Sequence, residues 1–179
     1  MEYRSFSLAD ADVTGRRFRG RALVYDQPSP LRSLDGKSIQ ESIRRGAFKE
    51  TTVPLFREHK PELLLARNSV RLTHGTGLDV EAELLTTPAA EEARELVENQ
   101  ELRGLSIGFL PAPSMAWKWE RRGQEIHRSL VQGNLFEISL VAIPVHAGTY
   151  AEVRSLSIPA HIGRDNARWN RYLESMTRA

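Results

Sequence analysis

A serine can carry out acyl transfer when an imidazole takes its proton and a third polar group orients that imidazole. The chain offers candidates for each part. Ser106 stands between Gly104 and Gly108 in the run ELRGLSIGFLP, residues 101–111. Read literally, Gly104-Leu105-Ser106-Ile107-Gly108 matches the nucleophile elbow of α/β-hydrolases, but that motif needs a strand before the serine and a helix after it. Here the helical pattern comes first and SIGFLPAP afterwards is strand-like. Strand alternation gives a better account: Leu105, Ile107 and Phe109 share one face, and Gly104, Ser106 and Gly108 share the other. The hydroxyl then points away from the core. Glycine flanks would let the backbone of an extended peptide approach it, and they equally suit a bulge or a close packing contact.

The candidate bases are His59, His74, His127, His146 and His161. His59 follows the apolar run VPLF and precedes Pro61, so it is expected to project from a strand end. His74 reads as a turn residue and His161 falls in the tail. The third group can be Glu137 in LFEISLV, where alternation sets Phe136, Ile138 and Leu140 on one face and Glu137 with Ser139 on the other. A carboxylate in so apolar a strand is seldom buried without a partner. An imidazole would satisfy it, and so would a salt bridge to an arginine. Ser139 is a lesser rival nucleophile, without glycine flanks.

The elements that must hold these groups are mostly strands. YRSFSL and RFRGRALVY, the latter closed by DQPSP, have period-2 alternation and turn punctuation. SIQESIRRGAF is too broken to assign. LLLARNSVRLTHGTGLDVEAELL reads as two strand runs joined at HGTG. Thr87 can cap a helix over 88–99, with Pro88 in its first turn and Ala89, Ala93, Leu96 and Val97 as an apolar stripe. Strand units follow in MAWKWERRGQEIHRSLV, turning at Arg122-Gly123, and in NLFEISLVAIP. A short helix is expected around AGTYAEV. The expected division is a domain over 1–154 and a linker with an arginine-rich helical tail over 155–179.

At 179 residues, 40% hydrophobic and 27% charged, the composition is that of an ordinary globular domain. No apolar run approaches the roughly 20 residues of a membrane span. The start MEYRSFSLAD has no signal or transit pattern, so the chain is expected to stay where it is made. The absence of cysteine excludes disulfides, thiol catalysis and thiolate metal sites. No HExxH, P-loop or clustered ligand spacing calls for a metal or organic cofactor. Net charge is +2, and only 4 of the 25 basic residues are lysines. The basic segments RFRGR and WKWERR raise a nucleic-acid surface, but they form no sustained patch, and a tryptophan pair in a strand more often packs.

Together, IRRGAF (43–48), LFREH ending in His59, GLDVEAELL (77–85), a helix followed by LRGLSIGF (102–109), and LFEISLVAIPVHAGTYAEV (135–153) resemble the prohead serine proteases of tailed bacteriophages. The resemblance runs from about residue 18 to 153 in the right order. It implies an α+β, β-rich fold like that of herpesvirus proteases, a β-barrel surrounded by a few helices. It also implies a serine endopeptidase with His59 as general base, Ser106 as nucleophile and Glu137 as orienting acid, with His127 or His146 as alternatives to Glu137. Such an enzyme needs no cofactor. It would cut the scaffolding segment of the major capsid protein, and itself, inside the procapsid in the host bacterial cytoplasm. Those are the implied partners, a homo-oligomer being allowed and no membrane or specific nucleic acid being expected. The rival reading is a catalytically inactive capsid assembly or scaffolding protein of the same fold.

Overall fold

The computed structural model describes residues 2–7, 12–32, 38–102, 104–112, 116–123 and 125–142. In chain order the described elements are β1 (Glu2–Ser7), β2 (Asp12–Thr14), β3 (Arg17–Val24), β4 (Ser29–Arg32), β5 (Ser38–Ile43), β6 (Leu55–Arg57), β7 (Lys60–Ala66), β8 (Arg71–His74), β9 (Gly77–Glu83), α1 (Pro88–Glu98), β10 (Gly104–Pro111), β11 (Trp117–Arg122), β12 (Glu125–Leu130) and β13 (Gly133–Val141). The class is α+β and β-rich. Hydrogen bonding runs in three sheets, ordered β1-β10-β13-β6-β7, β11-β12-β5-β4 and β2-β3-β9-β8. Among the described residues these sheets do not close into a barrel, and α1 is the one helix. The expected helix around AGTYAEV and the tail 155–179 lie outside the described residues.

The sheets share one core. Phe18 and Leu23 of β3, Leu55 of β6, Leu65 of β7, Leu78 of β9, Leu105, Ile107 and Phe109 of β10 and Leu130 of β12 all pack into a single buried cluster. The strand expected over LLLARNSVRLTH divides into β7 and β8, which belong to different sheets. The hairpin at HGTG is present, with His74 opposite Leu78, and so is the one at Arg122-Gly123, where Gly123 takes φ +61°. Thr87 Oγ1 accepts the Ala90 N–H at 3.3 Å and Pro88 opens α1. The buried stripe of α1 is Ala90, Ala93 and Val97, so Ala93 and Val97 are buried as expected and Ala90 stands in place of Ala89. The i, i+3, i+7 spacing carries the contact, and Ala89 and Leu96 fall to its flanks.

A buried ion cluster ties the five-stranded sheet to the β5–β12 pair. Arg4 on β1 donates to both carboxylate oxygens of Glu41 on β5 and, at 2.8 Å, to Glu2. Arg128 on β12 pairs with the same Glu41. Its guanidinium lies 4.1 Å from the Trp117 ring centroid and 5.7 Å from that of Trp119. The tryptophans of WKWERR thus hold an internal cation, so those contacts serve packing rather than base stacking. Burial pulls the Glu41 carboxyl upward, but the two guanidiniums outweigh it and hold the group below the usual carboxylate range. A depressed acid stabilises the fold above its unfolded value and loses that contribution as pH falls through its folded one. Glu41→Gln leaves two buried cations without their shared anion. The expected loss is about 3–5 kcal/mol, or roughly 6–20 °C in Tm at neutral pH. Calorimetry checks it, and the gap from wild type should shrink toward low pH as the wild-type Glu41 protonates.

Candidate active site

β10 and β13 lie side by side and antiparallel at the centre of the five-stranded sheet. Leu105, Ile107 and Phe109 enter the core with no exposed surface, as the alternation requires. The opposite face of β10 carries Gly104, Ser106 and Gly108. Ser106 stands opposite Ser139, and Gly108 stands opposite Glu137. The register then shifts after Gly108, leaving Phe136 as the extra residue of a β-bulge. Phe136 is therefore 41% exposed and not on the core face with Ile138 and Leu140, a correction to simple alternation.

Glu137 is the buried carboxylate of this strand, and its partner is an imidazole: Glu137 Oε1 lies 2.7 Å from His59 Nδ1. Its other oxygen, Oε2, accepts the Ser139 hydroxyl at 2.6 Å. His59 sits in the two-residue turn between β6 and β7, where Arg57 faces Lys60 across the hairpin. Glu58 and His59 both adopt left-handed backbone, with φ of +52° and +58°. Two left-handed residues match the twist of a tight hairpin, and non-glycine residues occupy such a turn only when their surroundings hold them. Here β13 holds it. The Glu58 N–H reaches Leu140 O at 2.9 Å, the His59 N–H reaches Ser139 Oγ at 3.2 Å, and Glu58 Oε1 accepts the Ala142 N–H at 2.7 Å.

The fold thus joins His59 to Glu137 and sets Ser106 one strand away, as the directly opposed neighbour of Ser139. Side chains in that relation have Cβ atoms about 4.5–5.5 Å apart. Ser106 itself is wholly buried, and its hydroxyl has no hydrogen-bond partner among the described residues. A buried hydroxyl left unpaired costs about 1–3 kcal/mol and calls for an explanation outside packing.

The open flank at Gly108 is not open. A Cβ built there would collide with Glu137 Oε1 and meet its Cγ at 2.9 Å, so the glycine makes the slot in which the carboxylate lies. This corrects the expectation of room for an approaching backbone, at least on that side of Ser106. Gly108→Ala is expected to displace Glu137 from His59. Crystallography checks the displacement, and an unchanged 2.7 Å contact would contradict it.

The other histidines lie apart from this group or outside the described residues. His127 is on β12 in another sheet, 3.3 Å from Glu125 Oε2, and His146 and His161 lie outside the described residues. His74 closes β8, with Nδ1 2.7 Å from the Tyr25 hydroxyl and Nε2 2.7 Å from Glu50 O. Burial, together with Glu50, pushes the Tyr25 phenol up to about 12. Sequence reasoning missed the role of Gly108 and the bonding of Ser139. The signal for Ser139 was its i+2 spacing from Glu137 on one face. No group of three or more potential metal ligands occurs among the described residues, and no helix there is long and apolar enough to cross a membrane.

A family model described as caudovirus prohead serine protease matches residues 5–162. No curated protein and no solved structure matches the chain.

Proposed function

The chain belongs to the caudovirus prohead serine protease family, and from that membership we propose that it is the endopeptidase that removes the scaffolding segment of the major capsid protein inside the procapsid, with Ser106, His59 and Glu137 as its catalytic residues. The family is one of phage capsid-maturation proteases. The observation that carries the residue assignment is the pairing of His59 Nδ1 with Glu137 Oε1 at 2.7 Å, beside the column of Ser106.

In this reading the Glu137 carboxylate accepts a hydrogen bond from His59 Nδ1–H, which keeps its proton. Nε2 is thereby left as the lone-pair nitrogen that takes the Ser106 proton as Oγ attacks a peptide carbonyl. Backbone N–H groups stabilise the tetrahedral oxyanion, His59 returns the proton to the leaving amine, and water then releases the acyl group. Ser106 is buried, so a peptide reaches it only when the face of β10 that carries Ser106 is uncovered.

We assign residues 1–154 to the protease domain. The tail 155–179 is proposed as a docking segment for the procapsid interior, and one that the enzyme itself cuts. The core fold is proposed as a barrel of the herpesvirus-protease kind. A buried Ser106 with no hydrogen-bond partner among the described residues would equally suit a non-catalytic assembly protein. Co-expression with the major capsid protein separates the two readings: the protease shortens it, and the assembly protein leaves it whole.

A further inference from the structure

Ser139 has no exposed surface, yet its hydroxyl makes two bonds of different kinds. It donates to Glu137 Oε2 at 2.6 Å and accepts the backbone N–H of His59 at 3.2 Å. With the 2.7 Å contact from His59 Nδ1 to Glu137 Oε1, these bonds close a ring from the His59 backbone through Ser139 and Glu137 to the His59 imidazole. The base is therefore held at its backbone and at its ring by groups two residues apart on one strand. The ring also bears on the left-handed backbone of His59, φ +58°, which needs outside support.

We propose that Ser139 is a positioning residue of the active site and not a second nucleophile; the proposal rests on the catalytic assignment of His59 and Glu137 above. The chemistry of the hydroxyl supports this. A serine has one proton to give, and an ionised carboxylate can only accept it. With that proton on Glu137, the Ser139 oxygen has none to pass to the imidazole, whereas the Ser106 hydroxyl is committed to no partner among the described residues. The bond to Glu137 is short and charge-assisted, the stronger class of hydrogen bond. It holds the carboxylate in the Gly108 slot, where one oxygen faces His59 and the other faces Ser139.

The test uses the full-length chain and a fluorophosphonate probe, with the adduct located by mass spectrometry. Wild type should label at Ser106. Ser139→Ala should label the same residue about 10- to 100-fold more slowly, the range carried by one lost hydrogen bond to a charged group. Ser139→Thr, which keeps the hydroxyl, should recover most of the rate. In parallel, the downfield proton resonance of His59 Nδ1–H should be observed in wild type and lost to water exchange in Ser139→Ala, whose circular dichroism stays native. An adduct on Ser139, wild-type labelling by Ser139→Ala with its imidazole resonance intact, or a Ser139→Ala chain that no longer folds overturns the positioning role. A wild-type chain that never labels strikes the protease reading instead, and the imidazole resonance then decides the role of Ser139.

Discussion

Ser106→Ala is expected to abolish the proposed cleavage of the major capsid protein and to leave the fold unchanged. Loss of a triad nucleophile costs on the order of 10⁶ in rate, which on the timescale of particle assembly is no cleavage at all. The fold should survive because the Ser106 hydroxyl bonds to nothing among the described residues. Removing a buried polar atom without a partner relieves a desolvation cost, and alanine keeps the Cβ between Leu105 and Ile107. Thermal melting should therefore show a midpoint at or above that of wild type. Co-expression with the capsid protein, read by mass spectrometry of the particles, should show only full-length capsid protein. Normal processing by this variant would remove Ser106 from the chemistry.

Glu137→Gln should reduce the rate by about 10⁴, less than the loss of Ser106 because the orienting group acts through the imidazole. The amide is nearly isosteric with the carboxylate, so the slot at Gly108 stays filled. Its NH₂ can, however, turn toward His59 Nδ1 and stabilise the tautomer that carries the proton on Nε2. That tautomer cannot accept the Ser106 proton. The neutral amide also no longer stabilises the imidazolium that forms. Single-turnover cleavage of the capsid protein measures the loss. Full activity would point to another third member, although His127 bonds Glu125 in a different sheet.

The alternation that assigned Leu105, Ile107 and Phe109 to the core was legible because β10 is a regular strand buried on that face. It also set Glu137 beside Ser139, and the cost of burying a lone carboxylate called for a partner, but left an imidazole and an arginine equally open. Phe136 was misplaced because a bulge adds one residue, and nothing in NLFEIS marks it. The turn at Glu58-His59 was equally hidden: it contains neither glycine nor asparagine, and its left-handed backbone is held by β13, some eighty residues later in the chain. The meaning of Gly108 depended on which side chain lies across from it. That is a matter of register between β10 and β13, which local sequence does not encode.

The pairing of His59 with Glu137 beside Ser106 is the centre of the account, and trapping the acyl-transfer geometry tests it most directly. A crystal structure of the full chain reacted with a peptidyl phosphonate should show phosphorus bonded to Ser106 Oγ. His59 Nε2 should lie about 2.6–3.2 Å from an oxygen of the adduct, within hydrogen-bond reach of a general base. Its Nδ1 should remain on Glu137 and the face of β10 that carries Ser106 should be uncovered. An adduct on any other residue, or a His59 ring turned away from Ser106 while the adduct is in place, would contradict it.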